Sequence, residues 1–461
     1  MSDLKLTDTL CPRSFGYTAF AAMSALQTIY SVLTSCEGRP EMLADLEQSV
    51  LPLVIHTIEK EAIEFYDDCF DLVDVLTFYQ KKISPGMWKV FEAMANSFLN
   101  GTGVDYLAEM LSTFDNLVSY GTDVFRQNAQ YRGMLLGIYE KAMTSEQLGL
   151  GDHISACRLA DVMLLLLKGS IDEHVPTIVQ SVLPLLANEA KTTPALRKWA
   201  VIVVLDALVY DARLALQTLE SAGATEAFFT LTLGQIVGQL SSVHQKKVAG
   251  IAFMNILSLD NAQLPSAITS GRSHLLRSLL EVLETIPAAI KRQRELEAEY
   301  EDDDEEGAES GDDSDIEGGD ISSSVVNEND DDEDIQDEDN EYLELLAREG
   351  ARLRAQAAAA ASGDVSAASL GDDAEGDVDE EEVEDDDDDD EGVVYESPLD
   401  DVPVFEHFRQ LMNHLQTAQP ELLGALGTEA TRRINEVGSI QDERVKEPTQ
   451  EQGAAGASAG R

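Results

Sequence analysis

Cationic residues are scarce in this chain. Its 461 residues hold 32 Lys and Arg against 87 Asp and Glu, a formal net charge of -55. Phosphate backbones and anionic lipid surfaces repel such a chain, which excludes nucleic acid and membrane as direct partners and favours basic proteins. Cysteine is equally sparse. Cys11, Cys36, Cys69 and Cys157 show no CxxC spacing, so they read as free thiols in a reducing compartment, not as a disulfide framework. Long apolar runs are missing as well. Val162–Leu167 and Val201–Leu205 are far too short to span a bilayer, and Met1–Lys5 lacks the basic start and apolar run of a secretory signal. The expectation is a soluble, intracellular protein.

Catalytic patterns are absent too. The sequence contains no GxxxxGK[ST], no HExxH and no HRD, and Gly101–Gly103 reads as a loop between helices. An enzyme is therefore the least expected class, and no cofactor is implied. His153 and Cys157 share a helix face, but a zinc site needs two further ligands that the neighbouring sequence does not offer. The acidic clusters lack the glycine and terminal glutamate of a calcium loop. No metal is expected.

What the chain does have is helical periodicity. In Glu61–Trp88 the apolar residues Ala62, Phe65, Tyr66, Cys69, Leu72, Val73 and Leu76 recur at spacings of three and four, the stripe of an amphipathic helix. Glu64, Asp67, Asp68, Asp71 and Asp74 fill its other face. Ser84-Pro85 then pairs an N-cap with a proline suited to a first helical turn. Helix pairs of this kind begin at about residues 14, 61, 104, 154, 194 and 244. Expected members are Phe15–Cys36 with Pro40–Lys60, Glu61–Lys81 with Pro85–Leu99, Val104–Tyr120 with Gln130–Met143, and Ile154–Lys168 with Val175–Ala190. Pro194–Tyr210 with helices to Leu240, and His244–Leu259 with Ser273–Glu297, complete the set. A period of forty to fifty residues is that of stacked two-helix HEAT or armadillo repeats. Strand signals are sparse, and even Phe228–Leu233 sits inside a helical pattern. The expected fold is all-α: a superhelical solenoid of HEAT-like repeats followed by a disordered acidic tail with short helical islands.

The tail is set off by charge. Residues 1–297 carry 23 Lys and Arg against 34 Asp and Glu, whereas residues 298–461 carry 9 against 53. The division read from this is a solenoid over 1–297, an acidic disordered tract over 298–339 and a short helix over 340–361. Beyond these come an acidic linker over 362–401, an amphipathic helical segment over 402–437 and a loose tail over 438–461. Two functions suggest themselves for the acidic tracts: a solvated spacer, or capture of a strongly basic protein with marked salt sensitivity. Under the second, the capturing residues are Glu64, Asp67, Asp68 and Asp71 on the solenoid, with Glu301, Asp302, Asp303, Asp304, Glu305 and Glu306 in the first tract. Asp385, Asp386, Asp387, Asp388, Asp389 and Asp390 serve in the last. Ser310 and Ser314 stand where an acidophilic kinase would accept them. Phe405, Phe408, Leu411 and Met412 form an apolar helix face for docking on the solenoid or on a partner.

Phe65–Trp88, FYDDCFDLVDVLTFYQKKISPGMW, resembles a segment of the importin-β-like nuclear transport receptors (karyopherins), specifically the importin seven/eight branch. Asp105–Gly121, the acidic tract from Glu301, Asn340–Glu349 and Val404–Met412 continue the likeness in order. It is a likeness to the C-terminal part of such receptors only, so the chain is expected to be a fragment without the N-terminal repeats that hold the main Ran-binding surface. The resemblance implies nuclear import of basic cargo such as histones and ribosomal proteins, Ran regulation in the intact family, contact with phenylalanine-glycine nucleoporins, and residence in nucleus, cytoplasm and nuclear pores. A HEAT scaffold of another class and an acidic, histone-chaperone-like binder are the alternatives.

Overall fold

The computed structural model describes residues 12–442 except 146, 189–191, 310–396 and 425. Among the described residues there is no strand. The helices are α1 (Pro12–Thr34), α2 (Pro40–Glu59), α3 (Tyr66–Gln80), α4 (Met87–Asn100), α5 (Leu107–Gln127), α6 (Ala129–Thr144), α7 (Leu150–Leu166) and α8 (Val175–Ala187). They continue as α9 (Pro194–Ser221), α10 (Thr225–Leu231), α11 (Val243–Leu257), α12 (Ser266–Glu309), α13 (Val404–Ala418), α14 (Pro420–Gly424) and α15 (Gly427–Ser439).

The packing is that of stacked pairs. α1, α3, α5, α7, α9 and α11 each lie against the next in one layer, while α2, α4 and α6 lie in line in the second. α8 and α10 pack against α9. The apolar faces meet in a common core, because none of the helices can bury its own alone, and α9 is buried on every side from Lys198 to Leu208. Side chains punctuate the turns. Asn128 Oδ1 accepts from the N–H groups of Gln130 and Tyr131 at 3.0 and 3.3 Å. Thr193 Oγ1 accepts from Leu196 N at 3.1 Å, and Ser242 Oγ from Gln245 N at 3.2 Å. Each satisfies at least one donor of an open first turn.

Several boundaries differ from the sequence reading: α3 begins at Tyr66, α5 runs on to Gln127 and α7 begins at Leu150. α4 begins at Met87, two residues later, yet Ser84 still serves as its cap: Ser84 Oγ accepts from Met87 N at 3.1 Å and donates to Glu47. The break after Tyr210 lies inside α9, at Asp211 (φ -153, ψ 101), whose carboxylate recaps the chain by accepting from Arg213 N at 2.9 Å and Leu214 N at 3.1 Å. α12 starts before Ser273 and runs past residue 297 to Glu309, aided by helix-prone Glu, Gln, Lys and Arg and by a Lys291–Glu295 pair at 3.0 Å.

The larger finding lies beyond the acidic tract. The chain divides into two compact units, one of Met1–Glu301 with Asp387–Arg461, the other Asp302–Asp386. Of the second, only the backbone of residues 302–309 is described. Within the first, α13 packs against α11 and so takes the next place in the α1-to-α11 layer. Phe405, Phe408 and Leu415 are buried, as are Leu411 and Met412. Asp442 Oδ1 accepts from Phe405 N at 2.8 Å and its Oδ2 from Glu406 N at 3.0 Å, capping α13. Arg433 clasps Glu284 of α12 through Nε and Nη2 at 2.8 and 2.7 Å. Described helices of the first unit thus lie on both sides of the acidic stretch in the chain.

Candidate functional site

The stripe on α3 is built by what its other face must bury. Tyr66, Cys69, Phe70, Val73 and Thr77 enter the core, and Tyr66 is fixed there by its hydroxyl, 3.1 Å from Ser97 Oγ. The 3.6-residue period then leaves Asp67 and Asp71 on the exposed side and Asp68 and Asp74 half-buried, with exposed Glu64 in the short turn before. Among the described residues no cation pairs with any of these carboxylates. Their titration reports the strain. Asp68 is raised above the usual carboxylate range by burial and then by Asp67. Asp71 is raised by burial and then by Asp68 and Asp67. Asp74 is pushed up to about 6 by burial and by Asp71, against the hydrogen bond it accepts from Asn116 at 2.8 Å. The field reaches the neighbouring helices. Burial raises Tyr30 of α1, with Asp71 and Asp74 adding to it. Tyr106 is raised by its own desolvation and then by Asp67, Glu109 and Asp105. Adjacent like charges disfavour ionisation, and a cation placed over them relieves that cost.

A second set of carboxylates lies inside the same layer, one per helix: Asp115 on α5, Asp161 on α7 and Asp206 on α9. Burial pushes Asp115 up to about 7, against the attraction of Arg158. Asp206 is raised well above its ordinary value by burial and then by Asp161, and neither of its oxygens has a hydrogen-bond partner among the described residues. Asp161 accepts from His244 Nε2 of α11 at 3.0 Å. Burial alone would lower His244, but Asp161, Asp400 and Asp115 raise it overall. The other ring nitrogen, Nδ1, lies 2.6 Å from Ser397 Oγ. A serine, a histidine and an aspartate in line have the outline of a nucleophile, but each is at most 8% exposed, so no substrate reaches the hydroxyl. This is a structural joint.

The remaining candidates are scattered. Glu301, Asp302, Asp303, Asp304, Glu305 and Glu306 lie on the backbone of α12, with side chains outside the described residues. Asp385 to Asp390, the short helix expected over 340–361, Ser310 and Ser314 also lie outside them. Phe405, Phe408, Leu411 and Met412 face this chain's own core. Burial raises the Cys157 thiol to about 12 and that of Cys69 to about 11, which makes both inert. Among the described residues no cluster of His, Cys, Asp and Glu could hold a metal ion, and no helix is long and apolar enough to cross a membrane. A groove of 770 Å³ between α10 and the start of α12 is lined by Phe229, Leu233, Ile268 and Leu275, with Glu226 and His274.

Sequence reasoning passed over Asp115, Asp161, Asp206, His244 and Lys247. The signal was there: Asp161 and Asp206 each interrupt an apolar run, in LADVML and VVLDALV, where a charge without an internal partner is costly.

Residues 12–311 match the family model described as CAS/CSE protein, C-terminus. A probable importin-7 homolog of Dictyostelium discoideum is 24% identical over 289 residues, which cover 62% of this chain and 27% of that protein. The nonsense-mediated mRNA decay protein 5 of Saccharomyces cerevisiae is 27% identical over 61% of this chain and 29% of its own length. Human importin-8 is 29% identical over 56% and 25%. The chain thus spans little more than a quarter of the length of these relatives. No solved structure matches it.

Proposed function

This chain belongs to the CAS/CSE family, with the importin-β-like receptors of the importin seven/eight branch, and from that premise we propose that it is the cargo-holding part of a nuclear transport receptor. The observation that carries the proposal is the unpaired, mutually repelling stripe Asp67, Asp68, Asp71 and Asp74. A surface that resists its own ionisation gains most when a basic partner covers it. Glu64 extends the stripe, and the acidic tracts from Glu301 and around Asp385 to Asp390 supply a second, larger field. Such fields speed encounter and select against anionic partners. The cargo class is a strongly basic protein, as histones and ribosomal proteins are. Phenylalanine-glycine nucleoporins are the second partner, and the apolar groove between α10 and α12 has room for an aromatic side chain. The place of action is nucleus and cytoplasm, through the pores.

The test is binding of the purified chain to a linker histone across a salt series, with and without GTP-loaded Ran. Affinity that falls steeply with salt supports acidic capture. Displacement by Ran would mean that the release switch acts on this part of the receptor. Indifference to Ran would leave a cargo-holding part whose switch lies elsewhere. Failure to bind at low salt would overturn the reading in favour of a plain scaffold.

A further inference from the structure

The joint at which the chain returns from the acidic insertion is held by two side chains of α11. His244 Nδ1 lies 2.6 Å from Ser397 Oγ, and Lys247 Nζ donates to the carbonyls of Leu399 and Asp400 at 2.9 and 2.8 Å. The turn they grip is closed on itself: Leu399 N donates to Ser397 Oγ at 3.1 Å, and Ser397 N to Asp400 Oδ2 at 2.9 Å. Ser397 is 8% exposed, His244 6% and Lys247 2%. The two residues sit one helical turn apart on α11, so they engage the joint together.

Three properties meet at Ser397. Its hydroxyl is a keystone of the turn, since it joins His244 to the backbone of Leu399. It is followed by Pro398, the pattern a proline-directed protein kinase reads. Its surroundings have no room for more negative charge, with Asp161 behind His244 and Asp400 beside it. We propose that Ser397 is a phosphorylation site, and that its phosphate unlatches residues 397–442 from α11. The γ-phosphoryl group of Mg-ATP passes to Ser397 Oγ. The bond from that phosphorus to the bridging oxygen of ADP breaks as the Oγ–P bond forms, and the hydroxyl proton leaves to the kinase's base.

The closed joint buries the oxygen, so the kinase acts on the open form. The product cannot close again. A phosphate brings a charge of about -1.5 to -2 and three acceptor oxygens. His244 already serves Asp161, and Lys247 serves two carbonyls, so neither is spare to neutralise it. Burying such a charge without a dedicated partner is prohibitive. Phosphorylation therefore holds the latch open and uncovers the face of α11 that α13 covers. Ser84 and Thr193 also precede proline, but each caps a helix within the stack, where release would open no such joint.

The test treats the full chain with Mg-ATP and a proline-directed kinase, beside the H244A, K247M and S397A chains. Site occupancy is read by mass spectrometry and amide exchange by peptide. Ser397 is expected to be modified slowly in the native chain and at least tenfold faster in whichever of H244A and K247M retains the native exchange pattern across α3 to α7. The modified chain should exchange at least tenfold faster across 404–439, with α3 to α7 unchanged, and S397E should do the same without kinase. Equal modification rates in native and loosened chains would overturn the latch. Unchanged exchange across 404–439 in both the phosphorylated chain and S397E would overturn the release, and no modification at Ser397 in any chain would overturn the site.

Discussion

Asp115 shows at the scale of one residue how this protein stores electrostatic cost. Its carboxyl is raised to about 7, chiefly by burial, and Oδ1 has no hydrogen-bond partner among the described residues. Because the folded-state value lies above the unfolded one, the native chain binds more protons than the unfolded chain between about pH 4 and 7. Stability contributed by this group is therefore full at acid pH, falls as pH rises through that window, and stays low above it. Replacing Asp115 by Asn removes the charge and keeps the shape. The D115N chain should melt higher than wild type at pH 8, by the equivalent of up to about 4 kcal/mol, and the gain should shrink to less than half of that at pH 5. Thermal unfolding at the two pH values checks it. An equal effect at both would assign the residue a packing role instead. The same sign applies to the surface stripe with a different readout. Asp74 titrates at about 6, so binding of a basic partner should weaken as pH falls through 6, and D67N/D71N should lose affinity and flatten the salt dependence, by about 0.5–1 kcal/mol for each exposed charge removed. Titration of a linker histone at pH 5.5 and 7.5 measures both.

At the scale of elements, the sequence is most legible where one force dominates. Apolar spacing, with Pro40 at the turn before the second helix, located α2, α6 and α11 to within a few residues. Tertiary detail was not legible. Nothing in DNLVSYGTDVF announces that α5 bends at Gly121 (φ -112, ψ 16) because Trp88 fills the space beside it. A Cβ built there would stand 2.6 Å from Trp88 Cη2 and 2.8 Å from Cζ2. Trp88 in turn stacks on Tyr131 at 5.2 Å and meets the Phe125 ring edge-on at 5.2 Å, so α4, α5 and α6 share one aromatic cluster. G121A should displace the indole and cost about 1–3 kcal/mol, the usual range for overpacking a filled core. Only two tryptophans are present, so a shift in Trp88 emission, assigned with W199F as background, accompanies the loss if the clash is real. Wild-type emission with full stability would mean the cluster yields without cost. The buried carboxylates escaped notice for a related reason: periodicity shows which face is apolar, not which exception the interior keeps.

At the scale of the whole molecule, charge composition marked where the acidic stretch begins but could not show that the solenoid resumes beyond it. A tail and an insertion have the same composition. They differ only in whether a later segment packs back, and that is decided by α13, which packs against α11 with Phe405, Phe408 and Leu415 buried. The distinction changes the decisive deletion. Removing 298–461 takes away α13 to α15 along with the acid and so confounds charge with folding. Replacing 302–386, the second of the two units, by a short Gly/Ser linker removes most of the acid and leaves α13 to α15 in the chain. Loop closure depends only weakly on length, about 0.6 kcal/mol per doubling, so the melting temperature should stay within a few degrees of wild type. Affinity for a linker histone at low salt should fall at least tenfold, with a shallower salt slope, while the α3 stripe retains the remainder. If binding vanished altogether, the solenoid would be only a carrier for its insertion. If it were unchanged, the insertion would be a spacer, and capture would belong to the face that Asp67 and Asp71 present.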